Sequence, residues 1–478
     1  MKKRIISVVF CALLIISLIA CGDKDDGGVT DTADSGVSAA SETEETAQQY
    51  NIPESKNYNG ETFTILAADG RTELYDAEQD GEVLNDVVYN RQLNTEEYFN
   101  IDIEYIHKES GWQVENEYVG IITSSILADE DAYDLINCPI VFACKILSDG
   151  YYRNTLDFDL DLSNPWWISE MKEKIGINNK LYMIAGDFSV TLYSTLTVAF
   201  FNKNLAENIN LESPYDVVRN GKWTVEKMLD LMKDVASDLS GDGKIDREND
   251  LLAFISHHTP FNSIQSSCEA SVFEAKNGEL VYNGISDRFV KLYDTIEPAF
   301  DRSDLFITDG TFEEDAKVFL EDRALFMFSG LRITTELRDM KSDYGILPFP
   351  KLNESDNYKI DVPVSSVQWV VPITAPNTEL ISDFCEYYAY YSYENVIPAY
   401  FEVTLKDKYS RDENTQEMLD VIRSARTLSI DSTFGYRFSP SPHNIVGILR
   451  SNLNPASHFA KFESGWIKQL DKFLETFK

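Results

Sequence analysis

Polar and apolar positions divide the chain into three zones. After the basic Lys2, Lys3 and Arg4, the run Ile5 to Ala20 is apolar apart from Ser7, Cys11 and Ser17. A bilayer span needs roughly 20 apolar residues, so this run is short for one, and its flanks are those of a cleaved export signal. Residues 22–57 carry Asp, Glu, Ser, Thr and Gly and almost no large apolar side chain. Such a segment cannot bury enough surface to fold, and it predicts a flexible acidic tether. From residue 61 the pattern becomes regular. Glu61 to Ala67 alternates and predicts a strand, Val83 to Phe99 has helical spacing, and Ile101 to Ile106 alternates again. Tyr118 to Leu127 predicts a helix and Tyr133 to Ile136 a third strand ending at Asn137-Cys138-Pro139. The β-α-β-α-β order implies a parallel sheet covered by helices, with ligands expected at the carboxyl ends of its strands.

A second series follows. Leu181 to Ala185 is strand-like, Thr195 to Asn202 is strongly β-prone, and Thr224 to Leu239 predicts a helix with Thr224 as its N-cap. Phe312 to Leu320 predicts a helix. Ala324 to Phe328, Tyr344 to Pro350 and Val367 to Ile373 predict strands, and Glu379 to Tyr393 a helix. The remainder looks mainly helical. About 420 residues beyond the tether exceed one typical core, so two lobes are expected.

Composition narrows the function classes. The formal charge of −38 argues against nucleic acid and polyanionic ligands. Cys138, Cys144, Cys268 and Cys385 are widely spaced and predict buried thiols, with one bridge left open. Five histidines and the absence of HExxH, GxSxG and Gly-rich phosphate loops give no catalytic signature. A glycosidase carboxylate pair is defined by spatial separation and so is not readable here.

Leu18-Ile19-Ala20-Cys21 resembles the lipobox of bacterial lipoproteins, which implies a signal peptide over 1–20 and lipidation of Cys21. Phe200-Phe201-Asn202-Lys203-Asn204-Leu205, Lys222 to Met228, Tyr344 to Lys351 and Val370 to Ala375 resemble segments of extracellular solute-binding proteins of ABC importers, in the maltodextrin-binding group. Pro398 to Lys406 resembles lipoprotein members from gut Firmicutes. The resemblance implies a two-lobed, periplasmic-binding-protein-like α/β fold with a ligand cleft at a hinge and a helical C-terminal region. It implies a lipid-anchored, extracytoplasmic binder of a sugar or oligosaccharide that delivers its cargo to permease subunits, and not an enzyme. The alternatives are a surface glycan-binding or sensor-associated lipoprotein without a permease and, after it, a secreted glycoside-active enzyme. The expected organisation is a tether over 21–57, one lobe from 58–165 with 305–365, and the other from 166–304 with 366–478.

A sugar cleft needs aromatic platforms and charged planar groups. The candidates are Asp69 and Arg71 after the first strand, Asp187 and Tyr193 after the 181–185 segment, Arg332 after a strand end, and Trp112, Trp166 and Trp369. His257 and His258 are adjacent, so their side chains are expected to diverge into structural roles. Asp238, Ser240, Asp242, Lys244 (through its carbonyl), Asp246 and Asn249 have calcium-loop spacing, with Gly243 at the sharp turn and Ile245 as the expected buried residue. Asn249 replaces the usual bidentate Glu, which predicts a weak structural calcium site.

Overall fold

The computed structural model describes residues 50–478 apart from 71–73, 302–304, 407–412, 452, 476 and 478, with only the backbone described at 301, 404–406 and 413. In chain order the strands are β1 (Glu61–Asp69), β2 (Ile101–Glu109), β3 (Leu135–Pro139), β4 (Thr197–Asn202), β5 (Leu252–His257), β6 (Phe273–Lys276) and β7 (Glu279–Tyr282). They continue with β8 (Phe306–Thr308), β9 (Ala324–Gly330), β10 (Tyr344–Leu347), β11 (Ile360–Asp361), β12 (Val367–Val370) and β13 (Arg426–Thr427).

Two α/β lobes result. The first is built on the sheet β12-β3-β1-β2, the second on β10-β4-β9-β5-β8. In the first sheet β1 runs parallel to β2 and β3, and β12 closes the edge antiparallel to β3. In the second, β5 is parallel to β8 and β9, while β4 is antiparallel to β9 and β10. β1 is polar on one side at its start and wholly buried from Ile65 to Ala68, as a strand covered on both faces should be. The predicted helix over 83–99 is observed as Val83–Phe99, and its face packs on the helix Thr378–Tyr391. Phe63 stacks on Phe384 at 4.0 Å and Tyr98 on Tyr387 at 4.1 Å, which ties that late helix to the first lobe.

These pairings correct the expected lobe assignment. Within 305–365, β8, β9 and β10 join β4 and β5 in the second sheet while β11 pairs with β13 apart from it, and β12, within 366–478, returns to the first. Local alternation marks a strand but carries no record of which sheet a returning strand joins. Two elements also differ in extent. Leu181 to Ala185 forms no strand of its own. Only Ile184 bridges Trp369, through two 3.0 Å hydrogen bonds at the edge of β12. The helix expected over 224–239 spans Val225–Leu231, capped by Thr224 Oγ1 accepting from Lys227 N–H at 3.1 Å. It stops short because Asp234 takes a left-handed conformation at φ 60°.

The chain passes between the lobes along 140–196 and again along 348–366. Beside these passages lies the two-residue parallel ladder of β11 and β13, with Asp361 opposite Thr427. All four described cysteines are buried and unbridged.

Candidate functional site

A cavity of about 540 Å³ opens where the passages meet the carboxyl ends of β5 and β9. Pockets for small ligands fall in this size range. His257 ends β5 and His258 opens the helix His258–Ser267. Gly330 ends β9, and Arg332 follows it. Phe312, at the first turn of the helix Phe312–Leu320, forms one aromatic wall. The first lobe contributes Trp112, half exposed at 50% and set edge-on to Phe142 at 6.1 Å. The segments 361–365 and 431–444 complete the lining with Asp361, Ser365, Asp431, Tyr436 and Asn444.

The polar groups are arranged for recognition. The Arg332 guanidinium lies 5.2 Å from the Phe312 ring, and among the described residues no carboxylate pairs with it. Its planar donors are therefore open to oxygen acceptors in the cavity. His257 Nδ1 accepts from Thr259 N–H at 3.2 Å. Burial, and then the neighbouring His258, push the His257 imidazole down to about 4, so it is neutral at pH 7. The two rings do not diverge. Their centroids are 4.1 Å apart and both line the cavity. The reason is local: strand ends and helix begins between them, so the alternation of a strand no longer separates successive side chains.

The sequence candidates divide sharply. Trp112 and Arg332 line the cavity. Asp69 ends β1 and is engaged by His107 Nδ1 at 2.8 Å, away from the cavity lining. Arg71 and Cys21 lie outside the described residues. Asp187 is fully buried and receives the Tyr193 hydroxyl at 2.8 Å, Arg423 Nη2 at 3.2 Å and Arg426 Nη1. Asp187 and Tyr193 thus form an internal ion cluster rather than a ligand contact. Trp369 is buried with its face covered by Phe188 at 3.6 Å and 10°. It borders a void of about 10 Å³, room for one water at most. Trp166 is buried and donates from Nε1 to Glu386 Oε1 at 2.9 Å. His257, Phe312, Asp361 and Tyr436 were not among the candidates. For His257 and Phe312 the one sequence signal is position, since His257 closes a β-run and Phe312 opens a helix.

The acidic loop is closed by its own backbone. Asp238 accepts from Gly241 N–H at 2.6 Å and Gly243 N–H at 2.7 Å, and Asp242 from Lys244 N–H at 2.9 Å. Asp246 accepts from the Glu248 and Asn249 amides. Asp250, one residue past Asn249, is the hub. It is fully buried and accepts from Leu239, Ser240 and Asp246 N–H at 2.8, 3.0 and 2.8 Å. Ile245, expected inside, is 40% exposed, because the loop turns around Asp250 and not around an apolar plug. Among the described residues no three His, Cys, Asp or Glu side chains converge closely enough to hold a metal ion. Calcium at this loop stays an expectation of the sequence pattern.

No protein-family model and no curated protein matches the chain. Solved structures do. A cyclo/maltodextrin-binding protein complexed with maltotetraose superposes with a TM-score of 0.53 at 13% identity, covering 87% of this chain and 97% of that one. The fold is that of the periplasmic binding proteins. The GacH receptor of Streptomyces glaucescens GLA.O, known unliganded and with acarbose, gives 0.49 at 12% identity over 86% of this chain and 99% of its own. The maltose/maltodextrin-binding domain MalE of Bdellovibrio bacteriovorus, bound to maltotriose, gives 0.47 at 14% over 87% and 98%.

Proposed function

We propose that the chain is a solute-binding protein that captures a sugar or oligosaccharide in the cavity at the carboxyl ends of β5 and β9 and passes it to an ABC importer. The observation that carries the reading is the pairing, in one cavity, of aromatic faces (Trp112, Phe312, Tyr436) with an Arg332 guanidinium that has no carboxylate partner among the described residues. Aromatic rings accept the C–H faces of sugars, and a planar guanidinium donates to paired hydroxyl oxygens. The fold shared with a maltodextrin-binding protein supports the same reading. Binding between lobes would draw the two walls together and exclude water.

The experiment is a calorimetric and thermal-shift screen of the full chain against mono- and oligosaccharides. A ligand of the folded state raises the melting temperature. Trp112→Ala and Arg332→Ala should each weaken the best ligand by roughly tenfold, the scale of one aromatic or one charged hydrogen-bonding contact, with little change in melting temperature of the free protein. Unchanged affinity in both variants would remove the cavity from the reading, and no sugar bound across a broad panel would remove the ligand class.

The lipobox-like segment supports the further reading that Cys21 anchors the protein to the outer face of the cell membrane. Cys21→Ser should move the protein from the membrane fraction to the soluble fraction and abolish incorporation of labelled fatty acid. A variant that still fractionates with membranes and still takes the label would overturn the anchor.

A further inference from the structure

Two neighbouring carboxylates line the cavity, and they differ in the groups that hold them. Asp431 receives three donors: Val272 N–H at 2.6 Å, Phe273 N–H at 2.9 Å and Gln265 Nε2 at 3.2 Å. Asp361 is 2% exposed and is held by serine hydroxyls alone, Ser429 Oγ at 3.4 Å from Oδ2 with the Ser432 and Ser266 hydroxyls beside it. The Ser429 hydroxyl also lies 2.9 Å from the Ser266 and Ser432 hydroxyls, either of which can donate to it. Asp361 Oδ1 has no hydrogen-bond partner, and no Lys or Arg pairs with Asp361 among the described residues. The backbone on either side is fixed, Ile360 N–H to Ala425 O at 2.8 Å and Val362 N–H to Thr427 O at 3.0 Å. A buried carboxylate with one oxygen unpaired and no cation beside it is unfavourable unless something else supplies a donor and a charge.

We propose that Asp361 is the receptor for a protonated amine on the bound sugar, so that the preferred cargo is an amino-sugar oligosaccharide rather than a neutral one. The inference rests on the sugar-binding reading of this cavity and specifies its ligand. An ammonium group brings matching charge and three donors, whereas a neutral hydroxyl brings one donor and leaves the charge uncompensated. The acidic chain attracts such a cation from a distance. Arg332, stacked on Phe312, serves the oxygens of the same ligand. Burial raises the Asp361 carboxyl to about 7 although the Ser432, Ser266 and Ser429 hydroxyls pull it down, and it raises Asp431 to about 7 as well.

The test is calorimetric titration of the full chain with the linear glucosamine trimer, its fully N-acetylated form and maltotriose. The glucosamine trimer should bind at least about tenfold more tightly than either other probe, and Asp361→Asn should erase that preference. The comparison of the three probes on the unaltered protein needs no variant to fold. Equal or tighter binding of maltotriose or the acetylated trimer overturns the amine subsite alone, as does a preference that survives Asp361→Asn. Failure of all three probes to bind overturns the sugar reading together with it.

Discussion

Asp187→Ala should lower the unfolding free energy by about 3–5 kcal/mol, the cost of removing one partner from a buried ion pair. Asp187 is fully buried, and Arg426, which pairs with it, is 7% exposed at its side chain. Alanine would leave that guanidinium buried without a counter-charge and would also orphan the Tyr193 hydroxyl. Arg423 is less affected, since a quarter of its side chain reaches water. The cluster joins the segment after Gly186 to β13, so its loss should loosen the ladder beside the cavity as well. Asp69→Ala is the contrast. Its pair with His107 is exposed at both ends, where such contacts contribute about 0–1 kcal/mol. Denaturant unfolding of both variants decides the matter. A loss below about 1 kcal/mol for Asp187→Ala would mean that the cluster contributes little.

Glu386→Ala should also cost several kcal/mol, about 3–5, through orphaned donors and not through lost apolar area. Glu386 is buried and accepts from Trp166 Nε1 at 2.9 Å, Asn164 Nδ2 at 2.8 Å, Asp161 N–H at 3.2 Å and Trp167 Nε1 at 3.3 Å. Two of those donors are indoles in the core, with no water to turn to. A pH signature accompanies the loss. Burial raises the Glu386 carboxyl to about 7 although its donors pull it down. The folded state then binds a proton that the unfolded state releases near the ordinary carboxylate value. Stability falls as pH rises from about 4.5 to about 7 by roughly 3 kcal/mol and is flat above that. The variant lacks this dependence, so its deficit should shrink between pH 5 and pH 8. His257 and His443, both pushed down to about 4, drive stability the other way over part of that range, but equally in both proteins. A deficit that is constant with pH would refute the account.

The difference between what the sequence disclosed and what it withheld follows from the range of the forces involved. Thr224 as an N-cap, the helix over 83–99 and the strand opening at Glu61 are local matters of spacing and side-chain oxygen, and all are observed. Lobe membership is not local. β12 and β10 are both short apolar runs, yet one pairs with β3 and the other with β4. The candidate site shows the same limit. Trp369 and Trp112 are equally attractive as sugar platforms in one dimension. Only packing decides that Phe188 covers the first while the second stays half in water. Asp187 after its Gly had the look of a cleft residue, but the arginines that claim it lie more than 230 positions away in the chain. Asp361 had no signal at all, since its character lies in an unpaired oxygen and in the absence of a cation beside it among the described residues.

Of the six tryptophans, Trp166, Trp167, Trp223, Trp369 and Trp466 are buried, and Trp112 alone stands half in solvent. The indole fluorescence of the chain therefore has a single water-facing emitter, and that emitter lines the cavity. Solvent relaxation reddens its light while the other five report a fixed interior. A solute that fills the cavity drives water from that one ring and shifts its emission to the blue, so the protein carries its own optical gauge of occupancy without a label.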